Sequence, residues 1–122
     1  MAEEEALVLI AAKPGPLRDG LQALLTVVPG AVAVSQVGDA SAALRTITET
    51  HPRLVLLDAG LPDAEISTVV AAVKTNGSGS RCLVLVDDFR QKKQALAAGA
   101  DVALIKGTSA TELFETIEGL IS

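Results

Sequence analysis

Residues Arg53-Leu54-Val55-Leu56-Leu57-Asp58-Ala59-Gly60-Leu61-Pro62-Asp63 decide the fold. Leu54 to Leu57 form an unbroken apolar run between His51-Pro52 and Gly60-Leu61-Pro62. The run is too short for a helix and has no polar alternation, so it predicts a strand buried on both faces, as in a parallel sheet covered by helices. Asp58 ends that strand, and in open parallel α/β sheets ligands and chemistry collect at the carboxyl ends of the strands. Asp58 is therefore the first candidate site residue.

The same alternation extends in both directions. Upstream, Ala6 to Ala12 is a first apolar strand, ended by Lys13-Pro14-Gly15-Pro16. Leu17, Leu21, Leu24, Leu25 and Val28 then fall at helical spacing up to Pro29-Gly30. Ala31 to Val37 is a second strand, and Asp39 is placed to cap a helix carrying Ala43, Leu44 and Ile47. Downstream of Pro62, the residues Ile66, Val69, Val70 and Val73 mark a third helix, followed by the linker-like segment Thr75 to Ser80. Arg81 to Val86 is the fourth strand, Asp87-Asp88 opens a helix running to Ala98, and Gly99 closes it. Val102 to Ile105 is a short fifth strand. Ser109 and Glu112 form a capping box before a helix striped with Leu113, Ile117, Leu120 and Ile121. Five strand–helix units without a repeat predict one doubly wound α/β domain over residues 1–122: a five-stranded parallel sheet in flavodoxin-like order 2-1-3-4-5, in three α/β/α layers.

At 122 residues with 49% hydrophobic content, the chain can bury a full core. The formal charge of −5 lacks the electrostatic footprint of a nucleic-acid binder, so DNA contact would need another domain. No apolar run approaches the ~18 residues of a membrane span, and the acidic start Met1-Ala2-Glu3-Glu4-Glu5 is unlike a signal peptide. The chain reads as cytoplasmic. Cys82 is the single cysteine and reads as a small buried side chain. His51 reads as a surface residue; with no second histidine, cysteine cluster or serine partner, the chain has no catalytic triad and reads as a non-enzyme.

The sheet brings Ala11-Ala12, Asp58, Val86-Asp87 and Lys106 to one edge. In the order and spacing of Leu54 to Asp58 with Leu61-Pro62, of Gly99-Ala100-Asp101, and of Leu104-Ile105-Lys106, the chain resembles the receiver domains of bacterial response regulators over nearly its whole length. Asp39-Ala40 with Ala43-Leu44 adds to the likeness. The resemblance implies two-component signalling, with Asp58 as phosphoacceptor and Lys106 as the lysine that contacts the phosphoryl group. It also implies an acid pair after strand one to hold Mg²⁺, a hydroxyl residue ending strand four and an aromatic in strand five. This chain has Ala11 and Ala12, Val86, and Ala103 at those positions, and its segment after strand four is about two residues short.

Mg²⁺ needs several oxygen ligands in octahedral geometry, and Asp58 with the carbonyl of Gly60 makes a poor set. Without the ion, phosphoryl transfer loses most of its charge stabilisation. Asp87 adds a negative charge where the family has a small neutral residue. These departures predict a degenerate receiver that needs no cofactor and works by protein contact, with Mg²⁺ entering only if phosphoacceptor function is retained.

Alternatives stay open at several positions. Asp58 is either a phosphoacceptor or the structural ion-pair partner of Lys106. Asp87 and Asp88 serve the amino end of the fourth helix or stand in as metal acids, and Asp63 reads as a solvated loop residue. The patch Arg90, Lys92 and Lys93 is a solvated face or a docking surface. The partner expected is a histidine kinase, an effector domain or a second copy, bound through the fourth helix, fifth strand and fifth helix. The segments Lys13-Pro14 and Arg18-Asp19-Gly20-Leu21 resemble the subfamily whose receivers precede a helix-turn-helix domain, so the chain reads as the first part of a transcription regulator. A flavodoxin-like cofactor binder fits less well, because Lys13-Pro14-Gly15-Pro16 offers few backbone donors and the chain has no Trp or Tyr to stack on a flavin.

Overall fold

The computed structural model describes residues 6–75 and 79–122. Strands β1 (Ala6–Ala11), β2 (Ala31–Val37), β3 (Leu54–Asp58), β4 (Arg81–Val86) and β5 (Val102–Ile105) alternate with helices α1 (Pro16–Leu25), α2 (Ala40–Thr50), α3 (Asp63–Thr75), α4 (Phe89–Ala98) and α5 (Ala110–Ile121). The strands pair in parallel in the order β2-β1-β3-β4-β5, as the alternation predicts. Within the linker-like segment Thr75 to Ser80, residues 76–78 lie outside the described residues, as does the acidic start, residues 1–5.

Because side chains alternate across a strand, the β3 run feeds two separate cores. Val55 and Leu57 face one side with Ile47, Val69, Val70 and Ala95 from α2, α3 and α4. Leu54 and Leu56 face the other with Leu21, Leu25, Ile117 and Ile121 from α1 and α5. All four β3 residues are fully buried, which is why that strand shows no polar alternation.

Several boundaries move, each for a local reason. α1 ends at Leu25 rather than Val28, since the amides of Thr26, Val27 and Val28 bond three residues back and tighten the chain before Pro29. That turn still delivers Val28 to the core. Ala12 lies just past β1, its amide donating to the Val37 carbonyl. Asp63 is not a loop residue: Glu65 and Ile66 donate to the Pro62 carbonyl, so α3 begins at Asp63, an acid in the first turn as the helix dipole favours. α4 begins only at Phe89. The capping box of α5 is half made, with the Glu112 amide donating to Ser109 Oγ while the Glu112 carboxylate accepts from the Thr108 hydroxyl.

Gly99 closes α4 with φ of +113°, a conformation that favours glycine. Asp39 caps α2, accepting from the Ala42 amide at 2.8 Å. His51 ends α2 in the left-handed region and is exposed, as expected.

Candidate functional site

Three strand ends bring the charged residues together. β3 ends in Asp58, the chain leaves β4 through Asp87, and Lys106 follows β5, where its amide donates to the Val86 carbonyl at 2.8 Å. The Lys106 ammonium lies 2.6 Å from Asp58 Oδ1 and 3.0 Å from an Asp87 carboxylate oxygen, bridging both acids. The side chains of Asp58 and Lys106 are 15% and 29% exposed, so this pair is shielded more than a surface ion pair. Burial alone would lower the Lys106 pKa, but hydrogen bonds to Asp58 and Asp87 and their charges outweigh it and raise it.

Asp58 Oδ1 also accepts from the Gly60 amide at 2.9 Å, an Asx-type turn that fixes the carboxylate. A Cβ at residue 60 would stand 3.1 Å from Asp58 Oδ2, so glycine keeps this turn uncrowded.

The two acids before α4 divide their tasks. Asp88 is the cap, its Oδ1 accepting from the Gln91 amide at 2.8 Å. Gln91 reciprocates one residue further out: its Oε1 accepts from the Asp87 amide at 2.7 Å. This frees the Asp87 carboxylate from capping and turns it toward Lys106. Asp63 meets Arg90 of α4 at 3.8 Å, an exposed pair of little energetic weight.

The remaining site positions are apolar and buried. Ala11 and Ala12 stand at the end of β1, Val86 at the end of β4, and Ala103 inside β5, none of them more than 3% exposed. Ala11, Val86 and Ala103 all belong to the core beneath α2, α3 and α4. The donor set does not fit a magnesium ion: two carboxylates are already bridged by an ammonium, and alanines stand where further oxygen ligands are needed. Among the described residues no cluster of three or more His, Cys, Asp or Glu is arranged to hold a metal.

These positions, their order along the sheet and the topology together match a known architecture. The chain has the fold of a response-regulator receiver domain. It superimposes on the signal receiver domain of NarL from Mycobacterium tuberculosis with a TM-score of 0.85, 26% identity and 98% coverage of both chains. The receiver domain of the sensor histidine kinase PA1611 from Pseudomonas aeruginosa, which holds a magnesium ion in its active-site cleft, matches with a TM-score of 0.82 over 96% of this chain and 98% of its own; at 19% identity the likeness is one of fold. Among curated proteins, the two-component response regulator PhoP of Pseudomonas aeruginosa is 30% identical over 90 residues, which is 72% of this chain. The chain spans about 40% of the length of that relative. No protein-family model matches it.

Asp101 is a functional-looking residue that sequence reasoning treated only as part of a motif. It sits at the opposite, amino edge of the sheet, where it accepts from the Cys82 amide at 2.8 Å and pairs with Lys74 of α3 at 2.9 Å. Burial raises its pKa, but the bonds from Lys74 and Cys82 outweigh that and leave it below the ordinary carboxylate value. Cys82 is fully buried as expected, and burial first, then the Asp101 charge, push its thiol up to about 12. Asp101 thus ties β4, β5 and α3 together and touches none of the site.

Proposed function

We propose that this receiver domain acts in two-component signalling as a protein-contact module that does not depend on Mg²⁺-assisted phosphorylation. The observation that carries the reading is the single ammonium of Lys106 held between Asp58 and Asp87. That cation already occupies the point where the two carboxylates meet and offsets one of their two charges, and a metal would have to displace it. Val86 has no hydroxyl to follow a phosphoryl group and Ala103 no ring to move, so a phosphoryl group would not distinguish two states through those positions. The domain is then a cytoplasmic, non-catalytic part of a longer regulator, without a cofactor of its own.

The proposed contact face is α4-β5-α5. It exposes Phe89, Leu96 and Ile105, large apolar side chains with no cover of their own. Arg90, Lys92 and Lys93 make α4 basic, whereas Glu112, Glu115 and Glu118 make α5 acidic, a pattern suited to a histidine kinase, a following effector domain or a second copy. An output in transcription would be delivered by a separate effector domain, since the net charge of −5 lacks a nucleic-acid footprint.

A second reading is that Asp58 is a working phosphoacceptor with Asp87 as substitute metal acid. Its support is that both carboxylates reach one point, the Lys106 ammonium. Incubation with acetyl phosphate and Mg²⁺, followed by intact-mass measurement, separates the two. The first reading expects no phosphoryl adduct, and no change on adding beryllofluoride in amide exchange over residues 87–121. An adduct that Asp58→Asn abolishes would establish the second.

A further inference from the structure

At the carboxyl edge three N–H donors lie on neighbouring strand ends, two of them sharing Asp58 Oδ1, and each is occupied by an oxygen of the chain itself. The Gly60 amide gives its proton to Asp58 Oδ1, the Asp87 amide to Gln91 Oε1, and the Lys106 ammonium to both Asp58 and Asp87. A cation flanked by backbone amides is the usual make-up of an oxyanion site. Here the anion is tethered: the Asp87 carboxylate sits on the solvent side of Lys106, 54% exposed, where a free oxyanion would enter. Nothing in the α4 cap requires Asp87 to do this, because Asp88 is the cap.

We propose that the Asp87 carboxylate, held in place through the bond from its own amide to Gln91, is a built-in plug in an oxyanion site formed around Lys106. The plug keeps the site in one permanently filled state and couples the start of α4 to the end of β5. The site without the plug takes a tetrahedral oxyanion once the Asp58 charge is also removed, since Asp58 would otherwise repel it. This inference rests on the reading that the site holds no metal, and the two fail separately. Mg²⁺-dependent labelling of the wild type bears on the first; anion binding by variants that lack the Asp58 carboxylate bears on the plug.

The test is a titration of inorganic phosphate at low ionic strength, read by the amide shifts of residues 60, 87 and 106. Asp58→Asn/Asp87→Ala removes the plug, and Asp58→Asn/Asp63→Ala carries the same formal charge with the plug intact. Both altered acids in the comparison are more than half exposed, so neither change threatens folding. The plug-free variant should bind phosphate about tenfold more tightly than its charge-matched control, the difference one charge-assisted hydrogen bond makes. Adding Gln91→Ala, which releases the residue-87 amide, should tighten binding again. Equal affinity in the two double variants, or no saturable binding by the plug-free one, would overturn the proposal.

Discussion

Replacing Lys106 with methionine removes the ammonium and keeps most of the stem. Two carboxylates then face each other without a counter-ion, and Asp58 is the one that suffers, being 15% exposed against 54% for Asp87. The Asp87 contact, open to water, contributes little, within about 0–1 kcal/mol. Breaking a fully buried pair costs about 3–5 kcal/mol. Asp58 lies between these limits and keeps its bond from Gly60, so Lys106→Met should destabilise the domain by about 1–2 kcal/mol near neutral pH. Urea unfolding measures it, and Asp58→Asn in the same background should return about half of the loss, because a neutral amide needs no cation. The pH dependence has a definite sign. Lys106 has a raised folded-state pKa, so its stabilisation is complete below the unfolded lysine value and disappears as pH climbs through the folded one, in the alkaline range. A coupling between the two substitutions below about 0.3 kcal/mol would mean that the Asp58–Lys106 pair does not form in solution.

Wild-type protein should bind Mg²⁺ no more tightly than about millimolar in calorimetric titration. Ala11→Asp/Ala12→Asp should lower stability without metal, because both positions are buried, and ~10 mM Mg²⁺ should recover about 1.4 kcal/mol of it if the new site binds at ~1 mM; no metal-dependent recovery would show that the missing acids are not the limiting factor. Asp101→Asn should cost about 1 kcal/mol at pH 7, the net worth of hydrogen bonds to a partly exposed carboxylate. Since the Asp101 pKa is lowered on folding, that contribution is present above the unfolded carboxylate pKa and lost as pH falls through the folded value, so wild type and variant should converge in acid unfolding curves. Gly99→Ala should destabilise by about 1–2 kcal/mol in thermal melts, since its φ is positive and the added Cβ would stand 3.2 Å from Lys74 Cγ.

What the sequence made legible divides along physical lines. The β3 run and the apolar stripes of the helices are set by burial, which acts on residue type and period, so element order and strand order can both be inferred. Asp58 and Lys106 were readable because each is a charge at the end of an apolar strand, where pairing of opposite charges is favoured. Asp87 was harder: two adjacent acids before a helix look alike in sequence, and which one caps depends on Gln91 accepting from the Asp87 amide. Asp63 was misplaced because Pro62 can end one turn or begin the next helix. Asp101 was visible as part of Gly99-Ala100-Asp101, but its contacts were not, since its partners Lys74 and the Cys82 amide are distant in the chain and meet only across the assembled sheet. The missing acids at Ala11 and Ala12 were visible only through likeness to other receivers; by themselves two alanines closing an apolar strand are unremarkable.

The division of the interior by the sheet gives the α4-β5-α5 face an unusual mechanical position. α4 rests on one core and α5 on the other, with no side chain common to both. Substitutions in the two compartments should therefore add as independent terms in the free domain. A partner lying across α4 and α5 would grip both compartments at once, over β5, the edge of the sheet. Bound in that way it would act as a clasp between halves that are otherwise mechanically separate, and the additivity seen in the free domain would break down in the complex.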